Sequence, residues 1–120
     1  MKTSILIVDD HELTAEGIAA LVEQTCCFHT TVCLNATNAL QKANTSHFNL
    51  ALIDARMPGM SGIELIKQLK ISCPALKTVA ITGFDEDETV IELLQSGAQG
   101  ILFKRSTDGN ELKLCLEEVL

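Results

Sequence analysis

Five short apolar runs recur along this 120-residue chain: ILIV at 5–8, TTVCL at 30–34, LALI at 50–53, TVAIT at 78–82 and GILF at 100–103. Each is apolar or β-branched at odd and even positions alike. A strand written that way has both faces covered, the condition met in a parallel sheet held between helices. The intervening stretches carry helical spacing. Leu13, Gly17, Ile18 and Leu21 mark the first, and Ala36, Ala39, Leu40 and Ala43 the second. Ile63, Ile66 and Leu69 mark the third, Val90, Ile91 and Leu94 the fourth, and Leu112, Cys115, Leu116 and Val119 the fifth. Start and stop signals agree with this reading. Ser61-Gly62-Ile63-Glu64 has capping-box form, while Asp85 and Asp108 can cap the last two helices. Gly97 and Gly100 flank the end of the fourth, where a left-handed cap is expected. The pattern predicts an α/β fold, a doubly wound sheet of five parallel strands with five helices.

Composition narrows the function. Length allows one ordinary domain, and a chain of this size folds without disulfides or a structural metal. The net charge of −7 and the absence of Trp and Tyr disfavour direct nucleic-acid contact. They suit a domain that holds a cation or meets a basic partner. No run approaches the length of a membrane span, and the apolar stretch after Lys2 is too short for a signal peptide. Cys26, Cys27, Cys33, Cys73 and Cys115 form no C-x-x-C pair and are read as small hydrophobes in a reduced cytoplasm.

In such sheets the working crevice lies outside the carboxyl ends of the strands. The residues there are Asp9-Asp10, Asn35, Asp54, Thr82 and Lys104. Asn35 reads as an ordinary cap. The other four ends gather three carboxylates, a hydroxyl and an amine. Two carboxylates ~5 Å apart repel by about 3 kcal/mol at an effective dielectric near 20. Either one keeps a proton or a cation sits among them. A small set of hard oxygen ligands favours Mg²⁺, whereas no EF-hand spacing supports a Ca²⁺ cage. His11, His29 and His47 show no zinc spacing; His11 could approach the acids, but it reads first as a solvated residue at a helix start. An amine and a hydroxyl beside such a cluster suit phosphoryl chemistry, with a carboxylate as nucleophile. Asp54 is the best candidate, because it ends the central run and precedes the loop Met57-Pro58-Gly59.

Asp9-Asp10, Asp54 with Met57-Pro58-Gly59, Thr82-Gly83 and GAQGILFK at 97–104 together resemble the receiver domains of bacterial response regulators, over essentially the whole chain. The resemblance implies a flavodoxin-like sheet of order 2-1-3-4-5 and a receiver spanning residues 1–120. It implies that Asp54 takes a phosphoryl group from the phosphohistidine of a histidine kinase or phosphotransfer protein. Asp10 and Asp54, with the backbone carbonyl of Arg56, would ligate Mg²⁺, and Asp9 would act directly or through water. Thr82 would be the switch hydroxyl, Lys104 the lysine that contacts the phosphoryl group, and Gly83 the small residue that keeps the site open. Such a domain is a cytoplasmic signalling switch, not an enzyme beyond its own phosphorylation and dephosphorylation at Asp54. Asp9-Asp10-His11-Glu12, and a lysine followed by Arg105-Ser106, look like the subfamily with a C-terminal LuxR-type helix-turn-helix. DNA contact is then expected through an effector domain cut away beyond Leu120, and a homodimer is possible.

One departure stands out. Ile101 occupies the position where these domains usually carry a Tyr or Phe that swings inward on activation, which predicts either simple packing or weak coupling to the neighbouring face. Arg56 and Phe84 flank the expected site entrance. Competing classes fit less well. A haloacid-dehalogenase-type phosphohydrolase needs an acid two residues after its nucleophile, where this chain has Arg56. A pseudo-receiver, acting as an interaction module only, usually loses the acids or the lysine kept here. Neither G-x-G-x-x-G nor a P-loop pattern is present.

Overall fold

The computed structural model describes residues 3–26, 28–83, 87–104 and 108–120. In chain order the elements are β1 (Ser4–Val8), α1 (Glu12–Cys26), β2 (His29–Cys33), α2 (Ala36–Thr45) and β3 (Leu50–Asp54). They continue with α3 (Gly62–Ser72), β4 (Lys77–Thr82), α4 (Asp87–Ser96), β5 (Gly100–Phe103) and α5 (Gly109–Val119). All strand pairs are parallel, and the sheet order is β2-β1-β3-β4-β5. This is the flavodoxin-like, doubly wound α/β fold that the sequence pattern and the family resemblance implied.

Two-sided apolarity has a direct cause in the packing. Successive side chains of a strand point to opposite faces. Leu6, Val8, Ala51, Ile53 and Ala80 therefore join one core, completed by α2, α3 and α4 through Ala39, Leu65, Ile66, Leu69 and Leu93. Ile5, Ile7, Leu50, Leu52, Val79 and Ile81 join the other, closed by α1 and α5 through Ala15, Val22, Leu112 and Leu116. Every residue of β3 is buried, whereas β2, on the sheet edge, is only half-buried. No helix among the described residues is long and apolar enough to cross a membrane.

The caps form as expected where the structure describes them. Ser61 Oγ accepts from the Glu64 N–H at 3.2 Å, Asn35 Oδ1 from Asn38 at 2.8 Å and Asp108 Oδ1 from Glu111 at 2.8 Å. Gly97 ends α4 with φ +99°, a conformation that costs an L side chain. The expected cap Asp85 lies outside the described residues.

Two helix faces differ from the expected stripes. In α1, Leu13 is 86% exposed and Gly17 is exposed, while Ala15, Ile18, Ala19 and Val22 face the sheet. In α4, Leu93 is fully buried and Ile91 and Leu94 are exposed. Apolar residues stand on both sides of these helices, so spacing placed Ile18 and Leu21 on the core side but misplaced Leu13, Gly17, Ile91 and Leu94. Likewise Leu112 and Leu116 are core, but Leu120 is 45% exposed. Cys33, Cys73 and Cys115 are half-buried and in no disulfide, and burial raises the thiol pKa of Cys33 and Cys115. Cys27 lies outside the described residues.

Gly62 marks a close approach that shapes the site. Its N–H donates to the Ala55 carbonyl at 3.1 Å, and a Cβ there would run into the backbone carbonyl of Asp54. A Cβ at Gly83 would only touch the Lys104 side chain, at 4.0 Å. Gly62→Ala is therefore expected to destabilise the fold by about 1–3 kcal/mol in urea titrations, and Gly83→Ala by about 0.5 kcal/mol or less. Equal midpoint shifts for the two variants would contradict this packing account.

Candidate functional site

The sheet register explains how three strand ends form one site. Val8 pairs with Ile53, so Asp9 and Asp54 follow side by side on neighbouring strands. Asp54 pairs with Ile81, and Ile81 with Leu102. Lys104 then extends β5 with the same parity as Leu102. Asp9, Asp54 and Lys104 thus continue the strand positions that face α1 and α5, beyond the point where those helices cover the sheet. Backbone bonds hold these ends: Asp9 N–H to Cys33 at 3.2 Å, Ala55 N–H to Ile81 at 2.9 Å and Lys104 N–H to Thr82 at 2.9 Å.

Asp9 and Asp54 are almost completely buried, at 1% and 6% exposure. Lys104 Nζ lies 3.5 Å from Asp9 Oδ2 and 3.5 Å from Asp54 Oδ2. One ammonium therefore serves two buried carboxylates, which leaves the pair with a net negative charge. Asp54 Oδ1 accepts from the Arg56 N–H at 3.3 Å. Burial is the chief reason that the Asp54 pKa lies above its ordinary value; the Lys104 charge opposes the rise and the Asp9 carboxylate adds to it.

Asp10 is half-buried, and its Oδ1 is buried with no hydrogen-bond partner. Asp9, Asp10, His11 and Asp54 each offer one ligand atom, and these four atoms lie within 4.8 Å of one another. An orphaned carboxylate oxygen inside a converging donor set is what a divalent cation would satisfy, and three hard oxygens fit Mg²⁺.

Among the expected site residues, the structure thus brings Asp9, Asp10, Asp54 and Lys104 together. Thr82 is buried at the end of β4, opposite Phe103 and bonded through its carbonyl to Lys104. Arg56 is exposed, and its Nη2 donates to the buried Thr89 of α4 at 3.0 Å. That contact ties the loop after β3 to α4 across 33 residues, and nothing local in the sequence signals it. Ile101 packs against the core formed with α2, α3 and α4. Phe84 lies outside the described residues.

His11 is the residue whose role the sequence understates. It is exposed, as a solvated helix-start residue would be, yet Nδ1 stands 3.2 Å from Asp10 Oδ1 and 3.5 Å from Asp9 Oδ1. Its backbone N–H donates to Asp9 Oδ1 at 2.9 Å, which folds the chain back over the acids. Direct adjacency to the acid pair was the available signal.

Fold and site together define a flavodoxin-like domain with an acidic crevice and a lysine at the carboxyl edge of its sheet. The response regulator receiver domain family matches residues 5–116, and the chain belongs to that family. It is 33% identical over 119 residues to the transcriptional regulatory protein ZraR of Klebsiella oxytoca, covering 99% of this chain and 26% of ZraR. It is 34% identical over 101 residues to the response regulator GacA of Pseudomonas viridiflava, covering 83% of this chain and 47% of GacA. Among solved structures, a CheY-like receiver domain protein from Methanospirillum hungatei JF-1 superposes with a TM-score of 0.90 at 27% identity, over 98% of this chain and 93% of that one. The chain spans about half the length of GacA and a quarter of ZraR. Membership makes it a receiver domain of the phosphorylation-dependent switches of two-component signalling.

The raised Asp54 pKa fixes the sign of a pH effect. The fold holds this proton more tightly than the unfolded chain does. The stability due to Asp54 is therefore complete below its ordinary value of 3.8 and declines as pH rises through the raised value. Above it the fold carries a buried charge. In metal-free buffer, wild-type stability is expected to fall relative to Asp54→Asn as pH increases from about 4 to 7. Urea midpoints of the two proteins that run parallel over this range would contradict the assignment.

Proposed function

We propose that Asp54 is the phosphoacceptor of a transcriptional response regulator, taking its phosphoryl group from the phosphohistidine of a histidine kinase or phosphotransfer protein. The observation that carries this reading is the burial of Asp54 at the end of β3, against Asp9 and within 3.5 Å of the Lys104 ammonium. A carboxylate oxygen of Asp54 attacks phosphorus, the P–N bond to the donor imidazole breaks, and an acyl phosphate forms. In this reading Lys104 pairs with the phosphoryl oxygens and Thr82 donates to them. The closely set Asp9 carboxylate repels the incoming anion, so a cation is needed among the acids. Asp9, Asp10, Asp54 and the backbone carbonyl of Arg56 would hold Mg²⁺, which when bound supplies positive charge to the transferring group. Later hydrolysis at Asp54 resets the switch, and these two steps are the domain's whole chemistry.

The relatives named as transcriptional regulators support control of transcription as the output. The run Asp9-Asp10-His11-Glu12, and Lys104 followed by Arg105-Ser106, support the LuxR-type subfamily. DNA contact then falls to a separate helix-turn-helix domain, in keeping with the acidic surface of residues 1–120. We place the protein in the cytoplasm, where a kinase can reach it, and allow it to pair as a homodimer when phosphorylated.

Acetyl phosphate with Mg²⁺, or a phosphorylated kinase, is expected to label the wild type but not Asp54→Ala, as read by intact-protein mass or a Phos-tag gel. Lys104→Met is expected to label at least tenfold more slowly, because it removes a cation ion-paired to both buried acids. Equal labelling of Asp54→Ala would overturn the acceptor assignment.

A further inference from the structure

Donor spacing at the site carries one step more. Two ligands at right angles on an ion with bonds of ~2.1 Å are separated by about 3.0 Å, and two opposite ligands by about 4.2 Å. His11 Nδ1 lies 3.2 Å from Asp10 Oδ1 and 3.5 Å from Asp9 Oδ1. All four donor atoms of Asp9, Asp10, His11 and Asp54 fall within 4.8 Å of one another. These are the separations of neighbouring and opposite ligands around one centre, with a small contraction still to come.

The relation between His11 and Asp10 is informative. Despite the 3.2 Å separation, Asp10 Oδ1 is buried without a hydrogen-bond partner. This oxygen keeps an open acceptor position while the ring nitrogen stands beside it. Two atoms so placed can share a third partner in front of both. The backbone contributes as well: the His11 N–H is held on Asp9 Oδ1 at 2.9 Å, and the His11 carbonyl accepts from Ala15 at 2.9 Å in the first turn of α1. The imidazole therefore hangs from an anchored backbone directly above the acids.

We propose that His11 supplies Nδ1 as a fourth donor beside Asp9, Asp10 and Asp54, and so shifts this site's preference from Mg²⁺ towards divalent ions that accept nitrogen, Mn²⁺ among them. The proposal rests on the reading of the acid cluster as a divalent-metal site. Carboxylate and water suit Mg²⁺, and adding an imidazole favours the first-row transition ions in the Irving–Williams order. Mg²⁺ keeps its waters and gains little from a nitrogen ligand. His11 is thus a specificity-determining residue for the metal, and the same acids bind either ion.

The probe is Mn²⁺ alone, added to the purified, unphosphorylated protein. Pulsed electron paramagnetic resonance of the wild type is expected to show ¹⁴N coupling from a directly bound imidazole. His11→Ala and His11→Phe should bind Mn²⁺ without that coupling. In calorimetric titrations the ratio of Mn²⁺ to Mg²⁺ affinity is expected to fall about tenfold in both variants, chiefly through weaker Mn²⁺ binding. Because His11 is 70% exposed, both variants should fold, which circular dichroism checks. Wild-type Mn²⁺ binding that is lost in Asp10→Ala yet shows no ¹⁴N coupling and an unchanged metal ratio in His11→Ala would overturn the His11 proposal alone. Failure of the wild type to bind Mn²⁺ at this cluster at all would overturn the metal-site reading with it.

Discussion

Adjacent parallel strands lie about 4.8 Å apart, so acids that end them in register cannot avoid one another. At that separation two carboxylates repel by roughly 3 kcal/mol at an effective dielectric near 20, and burial sharpens the conflict. Here β1 and β3 end in Asp9 and Asp54, both buried, and among the described residues one ammonium, that of Lys104, is ion-paired to both. The apolar strands beneath make this arrangement rigid. Ile5 to Val8 and Leu50 to Ile53 are locked between two helical layers, so the acids cannot relax away from one another without unpairing the sheet. A site of this kind stores unfavourable electrostatics that a cation relieves and that added phosphoryl charge disturbs again. A switch needs such a property.

Much of this was legible in the sequence, for a physical reason. Strands buried on both faces must be apolar at both parities, and parallel strands need helical crossovers, so the architecture follows from the alternation of the two patterns. The acids, Thr82 and Lys104 stood out because they break apolar runs at the one edge where such sheets work. The helix faces were less legible. Leu13, Ile91 and Leu94 are apolar yet exposed, and the buried residues are Ala15 and Leu93. A helix apolar on more than one side leaves its orientation to tertiary contacts, which periodicity does not contain.

Two features of the site emerge only on folding. The Arg56–Thr89 hydrogen bond joins the loop after β3 to α4, and its partners are too far apart in sequence for any local pattern to reveal. Ile101, by contrast, packs against the core formed with α2, α3 and α4. His11 is the opposite case. It is adjacent to the acid pair in sequence, but only the folded chain shows its ring nitrogen 3.2 Å from Asp10 Oδ1.

The central claim is that the acids at the strand ends are held in conflict until a divalent cation joins them. Thermal unfolding in chelator and in millimolar Mg²⁺ tests it most directly. A ligand present at ten times its dissociation constant stabilises by about 1.4 kcal/mol, which corresponds to a rise of roughly 3–6 °C for a domain of this size. The account predicts such a rise for the wild type and none for Asp10→Ala. A wild-type melting temperature that Mg²⁺ leaves unmoved, or an equal rise in Asp10→Ala, would contradict it.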